Sequence, residues 1–171
     1  MSNGAHIGFT DEDLWPKVEA LEKDVYPPDV MANVVWRDVA WAHANRRVCI
    51  PEEDRLICHV GVYERNGIYN DWPRLINGIG GVMTAPDRRR RGLASQAMRL
   101  ATSLMADFNL LFCEPHNEQF YESLGWYKFR GEVLCVQPHK GRIRFDILTP
   151  MIHRGRHAPE DGVIDLCGLP W

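Results

Sequence analysis

Apolar side chains recur at Leu14, Val18, Leu21 and Val25, a spacing that predicts an amphipathic helix over residues 14–25. Asp13 is placed to cap it, and Pro16 falls in the first turn, where its missing N–H is harmless. Pro27-Pro28 ends it, and a second short helix is predicted from Asp29 through Met31, Val34 and Val35. From Arg46 the pattern becomes that of strands. Arg46 to Ile50 and Arg55 to Glu64 flank the turn cluster Pro51-Glu52-Glu53-Asp54. Asn66-Gly67 is a favoured hairpin dipeptide, because both residues tolerate positive φ. The returning strand is predicted to reach Thr84, interrupted near Asp71-Trp72-Pro73, giving an antiparallel meander of about three strands.

The strongest helical pattern runs from Gly92 to Phe108, with Leu93, Ala97, Leu100, Ala101, Leu104 and Phe108 on one stripe and Arg99 outside it. A short strand, Leu110 to Cys113, precedes a helix from Asn117 to Leu124 that Gly125 stops. Two strands are predicted around Tyr127–Val136 and Arg142–Leu148. The tail from Arg154 is polar and rich in Gly and Pro until it turns apolar at Leu169-Pro170-Trp171. With 171 residues and no internal repeat, the expectation is a single domain over residues 1–171.

Composition changes this picture only by exclusion. A net charge of -3 argues against general affinity for nucleic acid, which needs a basic face. The run Arg88 to Arg91 suits a small polyanion instead. Five cysteines without C-x-x-C spacing, four of them in apolar stretches, read as buried thiols rather than a disulfide framework or metal site. Met1 to Thr10 carries no signal-peptide pattern, and no segment has the length and apolarity of a membrane span. The expectation is a cytoplasmic protein with no metal, no nucleic acid and no membrane partner. A homodimer is left open.

The chemistry concentrates after Thr84. A strand, then Ala85-Pro86-Asp87, then Arg88 to Gly92, then a strong helix, brings unpaired helix N–H groups and a partial positive charge to one turn, which favours phosphate. Gly92 admits close approach of an anion, and Ala94 keeps the first turn uncrowded. The alternative is a solvated basic helix start. The order Arg89-x-x-Gly92-x-Ala94, directly after Gly81-Val82-Met83-Thr84, resembles the acetyl-CoA signature of GNAT N-acetyltransferases. Phe120-Tyr121-Glu122-Ser123-Leu124-Gly125-Trp126 resembles a second segment of that superfamily, in which Tyr precedes a Gly-aromatic pair by four residues.

That resemblance implies an α+β fold, with a mixed, mostly antiparallel sheet splayed between its fourth and fifth strands and flanked by helices. It implies acetyl-CoA as cofactor, with Val82, Met83 and Thr84 along the pantetheine arm and Arg89, Arg90, Arg91, Gly92, Leu93, Ala94 and Ser95 around the pyrophosphate. It implies transfer of acetyl to a primary amine by direct attack in a ternary complex. Tyr121 then holds the position of the general acid toward the thiolate, or else packs under the cofactor. A backbone N–H near Val82 or Met83 would serve as the oxyanion donor. Many relatives carry a carboxylate base on the fourth strand, but here that stretch is Asn77-Gly78-Ile79-Gly80-Gly81. Glu114, seven residues before Tyr121, is the substitute candidate, set against a solvated turn residue, with His116, His59 and a water relay behind it.

For the acceptor, Trp15, Trp36, Trp41 and Trp72 offer flat walls. The ending Asp165 to Trp171 resembles that of aminoglycoside 2'-N-acetyltransferases, which would put Asp165 and Trp171 on a cationic amine such as an amino sugar or polyamine. Its alternative is a C-terminal strand with Trp171 as a packed anchor. The competing function is an acyl-CoA-binding module without turnover.

Overall fold

The alternation between residues 46 and 84 builds the centre of one mixed sheet. The computed structural model describes residues 6–9, 14–153 and 157–171, so the expected cap Asp13 lies outside the described residues. β1 (His6–Phe9), β2 (Arg46–Glu52), β3 (Arg55–Tyr69) and β4 (Trp72–Thr84) are antiparallel in succession. The hairpin is not at Asn66-Gly67. Those residues pair with Leu75 and Arg74 inside the ladder, and the chain turns at Asn70-Asp71, where both φ are positive (45° and 68°). Two contacts explain the shift. Asn70 Oδ1 accepts the Val163 N–H at 2.8 Å, and a Cβ on Gly67 would lie only 2.6 Å from Ile76 Cδ1, so Gly67 serves close packing.

β5 (Phe108–Cys113) runs parallel to β4. They pair only from Ile76/Phe108 to Ile79/Leu111, and beyond Gly80 the two strands part, which is the expected splay. α1 (Trp15–Val25) keeps Pro16 in its first turn. α2 (Pro28–Met31) is one turn and stops short of Val34 and Val35. α3 (Leu93–Ala101) ends seven residues before the predicted Phe108. The Thr102 and Ser103 hydroxyls donate to the Met98 and Leu100 carbonyls at 2.9 and 2.7 Å, competing with the helix. Asp107 exchanges two hydrogen bonds with the Leu75 backbone, which frees Phe108 to start β5.

α4 (Glu118–Ser123) closes at Gly125, whose φ is +90°. The predicted strand Tyr127–Val136 is two strands, β6 (Trp126–Lys128) and β7 (Glu132–Gln137). They break at Gly131, where a Cβ would sit 2.0 Å from the Gly162 carbonyl. The strand predicted to run to Leu148 ends sooner, as β8 (Gly141–Arg144), and β9 (Thr149–His153) follows. The tail contributes β10 (Val163–Asp165), so the order across the sheet is β6-β9-β5-β4-β3-β10-β7-β8. Alternation along β5 and β9 sends Leu111 and Met151 into a core beneath α1 and α3. Leu110 and Ile152 enter a second core with Phe145, Leu166 and Trp171.

Candidate functional site

Where β4 and β5 part, a cleft of about 320 Å³ opens, bounded by α1, the segment 36–44, both strands and Trp171. Its floor is shaped by a β-bulge: His59 pairs with Met83 and Gly61 with Gly80, so Gly81 and Val82 together oppose Val60. Gly81 takes φ +54° there, a conformation that favours glycine. This aims the backbone between Gly80 and Met83 differently from a regular ladder.

A chain of buried polar contacts fixes the bulge. The His59 Nδ1–H donates to the Gly81 carbonyl at 2.7 Å, because a carbonyl only accepts. His59 Nε2 is then the lone-pair nitrogen and accepts from Arg47 Nη1, also at 2.7 Å. Burial pushes the His59 pKa down to about 4, with Arg47 adding to the effect and the Gly81 bond opposing it. The imidazole is neutral and both nitrogens are engaged, so His59 is a structural link rather than a base. Arg47 stacks on Trp15, its guanidinium carbon 5.0 Å from the ring centroid.

The turn expected to take phosphate is built on two left-handed residues. Gly92 is left-handed at φ +75° with nothing within 4 Å of a built Cβ, and Arg90 is left-handed at φ 60°. No side chain caps α3, so the N–H groups of Leu93, Ala94 and Ser95 are turned outward without a capping partner. Arg90 and Arg91 are exposed. Arg89 Nε donates to the Thr84 carbonyl at 3.4 Å, tying the turn to the end of β4. Arg88, by contrast, is spent on structure, pairing with Glu52 and Asp87 at 2.7 Å each.

Tyr121 lines the cleft with its ring packed on Phe120 and Trp126. Burial, reinforced by Cys113 and Tyr26, raises its pKa well above the ordinary phenol value, so it is a protonated donor. Glu114 lines the cleft at the end of β5, with His116 Nε2 at 3.9 Å on its exposed side. Cys113 is also in the wall, its thiol pushed up to about 12 by burial and nearby carboxylates. Of the residues expected on the acceptor side, Trp36 and Trp171 line the cleft, as do Trp15 and Trp41.

Asp165 does not reach the cleft; it pairs with Arg142 at 2.8 Å and accepts the Cys167 N–H. Trp72 stands 67% exposed beside the hairpin turn. Val82 and Met83 line the cleft, whereas Thr84 through Ser95 form the turn at its outer end. Sequence reasoning passed over Arg47, Glu22, Tyr26 and Tyr63, all in the wall. Arg47 carried a usable signal, a cation at an inward position of the apolar strand Arg46 to Ile50.

All five cysteines are free thiols. No helix among the described residues is long and apolar enough to cross a membrane, and none of their His, Cys, Asp and Glu side chains group as metal ligands.

Residues 7–129 match the family model described as the acetyltransferase (GNAT) domain. No curated protein matches the sequence. Among solved structures, the chain is similar to ElaA of Escherichia coli, at 15% identity and TM-score 0.59, covering 88% of this chain and 98% of that one. It is similar to YhbS of the same organism, solved with CoA, at 12% identity and TM-score 0.64, covering 98% and 92%. A GNAT acetyltransferase of Brucella melitensis, solved with acetyl-CoA, aligns at 11% identity and TM-score 0.57, covering 95% and 96%.

Proposed function

The chain belongs to the GNAT acetyltransferase family, and we propose that it moves acetyl from acetyl-CoA to the primary amine of a small molecule, with both substrates bound together. The observation that carries this reading is that β4, whose Val82 and Met83 line the cleft together with Tyr121, runs on into the open turn at Gly92. The residues fit the cofactor: outward amides of Leu93, Ala94 and Ser95 and the side chains of Arg89, Arg90 and Arg91 suit a pyrophosphate. Val82 and Met83 offer backbone to a pantetheine arm in the splay. When bound, acetyl-CoA supplies an activated thioester.

The chain's own groups then have distinct tasks. Tyr121 holds its proton at Oη for the departing sulfur. The bulge at Gly81-Val82 presents a backbone N–H for the carbonyl oxygen. Glu114, half-buried opposite β4, takes the proton of the incoming ammonium, directly or through water. Glu22 on α1 is the other carboxylate of the wall, more exposed. Direct attack is favoured over an acetylated cysteine because the cleft's Cys113 is held as a neutral thiol and donates to Met151 Sδ at 3.5 Å. An aminoglycoside or polyamine acceptor has less support, since Asp165 is engaged with Arg142 and the wall carries the cation Arg47.

Calorimetric titration with coenzyme A, followed by thiol release on an amine panel, tests this reading. We expect binding, turnover, and a loss of about 10²- to 10³-fold in kcat for Tyr121→Phe at unchanged coenzyme A affinity. Binding without turnover on any amine would favour an acyl-CoA-binding module; no binding would end both readings.

A further inference from the structure

Arg47 is buried to 5% exposure in the wall of the acceptor cleft, yet it enters no ion pair among the described residues. A buried cation ordinarily has a carboxylate against it, since removal from water is costly without one. Here one guanidinium nitrogen donates to neutral His59 and the plane lies over Trp15. Neither partner cancels the charge. The field of Arg47 reaches its neighbours, holding the pKa of Cys49 and Tyr63 lower than burial alone would.

Arg47 pairs across the ladder with Gly61, whose side-chain space is taken by the Tyr63 ring, and His59 stands two residues along β3 on the same face. The remaining N–H groups of Arg47 are not sealed in the core: among described side chains only Asn77 Oδ1 is buried without a partner. Those groups therefore open on the cleft, one imidazole ring away from the Gly81 carbonyl on the bulge.

We propose that Arg47 is the acceptor's anion site: the amine acetylated by this protein also carries a carboxylate, which docks on the free edge of the Arg47 guanidinium. The planar fork suits a carboxylate. Glu22 and Glu114 in the same wall suit the ammonium end, and Trp15, Trp36, Trp41 and Tyr63 suit an apolar body between the two. The acceptor class is thus an amino acid or short peptide with apolar side chains rather than a polycation. This inference rests on the acetyltransferase reading.

The test uses matched acceptors on the full-length protein: phenylalanine, its amide, and phenethylamine, followed by thiol release. Phenylalanine should exceed both partners that lack the carboxylate by about tenfold or more in kcat/KM, carried by KM. Arg47→Gln should abolish that preference in a protein that still binds coenzyme A, and Arg47→Lys should restore part of it. A second arm needs neither turnover nor a variant. N-acetylphenylalanine should bind the coenzyme A-loaded protein by calorimetry more tightly than N-acetylphenylalaninamide. Coenzyme A binding with carboxylated ligands no better than those lacking the carboxylate, in both arms, would overturn the Arg47 assignment and leave the acetyltransferase reading standing. Failure to bind coenzyme A would instead overturn the reading beneath it.

Discussion

His59 shows how one residue can serve a site without taking part in its chemistry. Folded, its imidazole is kept neutral down to about pH 4; unfolded, it protonates below about 6.5. Between those values the unfolded chain binds more protons, so stability falls as the solution is acidified. The contribution is present in full above pH 6.5 and is lost as the pH drops toward 4, for a total of about 3 kcal/mol. His59→Gln retains an amide that can donate to Gly81 and accept from Arg47, but it does not titrate. Urea unfolding from pH 7 to 4 should therefore give a flatter stability curve for the variant by about that amount. Parallel curves would show that His59 is protonated in the folded protein and that the bulge is held in another way.

At the level of elements, what the sequence made legible was local and what it hid was tertiary. The turn from Thr84 to Leu93 and the stop at Gly125 were readable, because φ above zero and an outward helix start are set by the residues themselves. Asn66-Gly67 misled for the converse reason: the turn went to Asn70-Asp71 because Asn70 is tied to Val163, 93 positions away. α3 was overextended because Phe108 fits its stripe, while the Asp107–Leu75 exchange that cuts the pattern lies across the sheet. Arg47 was missed because a lone charge in a strand says nothing of the His59 and Trp15 that receive it. The readable turn carries its own prediction. In Gly92→Ala the methyl has room but the backbone must stay left-handed, so stability should drop by only about 1 kcal/mol, or about 2 to 4 °C in Tm. On the proposed reading the methyl stands where a phosphate would approach, and coenzyme A affinity should fall tenfold or more, about the value of one charge-assisted hydrogen bond. A large loss of Tm with intact affinity would make Gly92 a folding residue and remove it from the cofactor turn.

For the whole molecule, the last residues decide whether the acceptor wall and the sheet are one body. β10 lies between β3 and β7, joining the β7–β8 hairpin to the central meander. Beyond it, Arg65 donates to the Leu166 and Leu169 carbonyls at 3.1 Å each, and Pro170 accepts the Ala42 N–H at 2.8 Å. Gln137 on β7 clasps the backbone of Ala40 from the other side. The segment bearing Trp36 and Trp41 is thus held by the tail and by β7. Trp171 is the centre of this arrangement. It stacks on Tyr63, donates from Nε1 to the Leu110 carbonyl at 3.0 Å, and lies over Gly78, where any Cβ would meet its ring at 2.2 Å. The space left by the absent side chains at Gly78 and Gly80 on β4 is therefore filled mainly by Trp171. Replacing Trp171 by Ala should lower stability by about 3 to 5 kcal/mol, since the ring is 4% exposed and its removal leaves a cavity. The same variant should raise the acceptor KM, because Trp171 and the segment it braces both line the cleft, while coenzyme A affinity, which we assign to the Gly92 turn outside that lining, should hold. Denaturant unfolding and steady-state kinetics on one preparation separate the outcomes. Loss of stability with unchanged acceptor KM would make Trp171 an anchor alone, and a raised KM at unchanged stability would mean that the tail is a substrate contact the fold can do without.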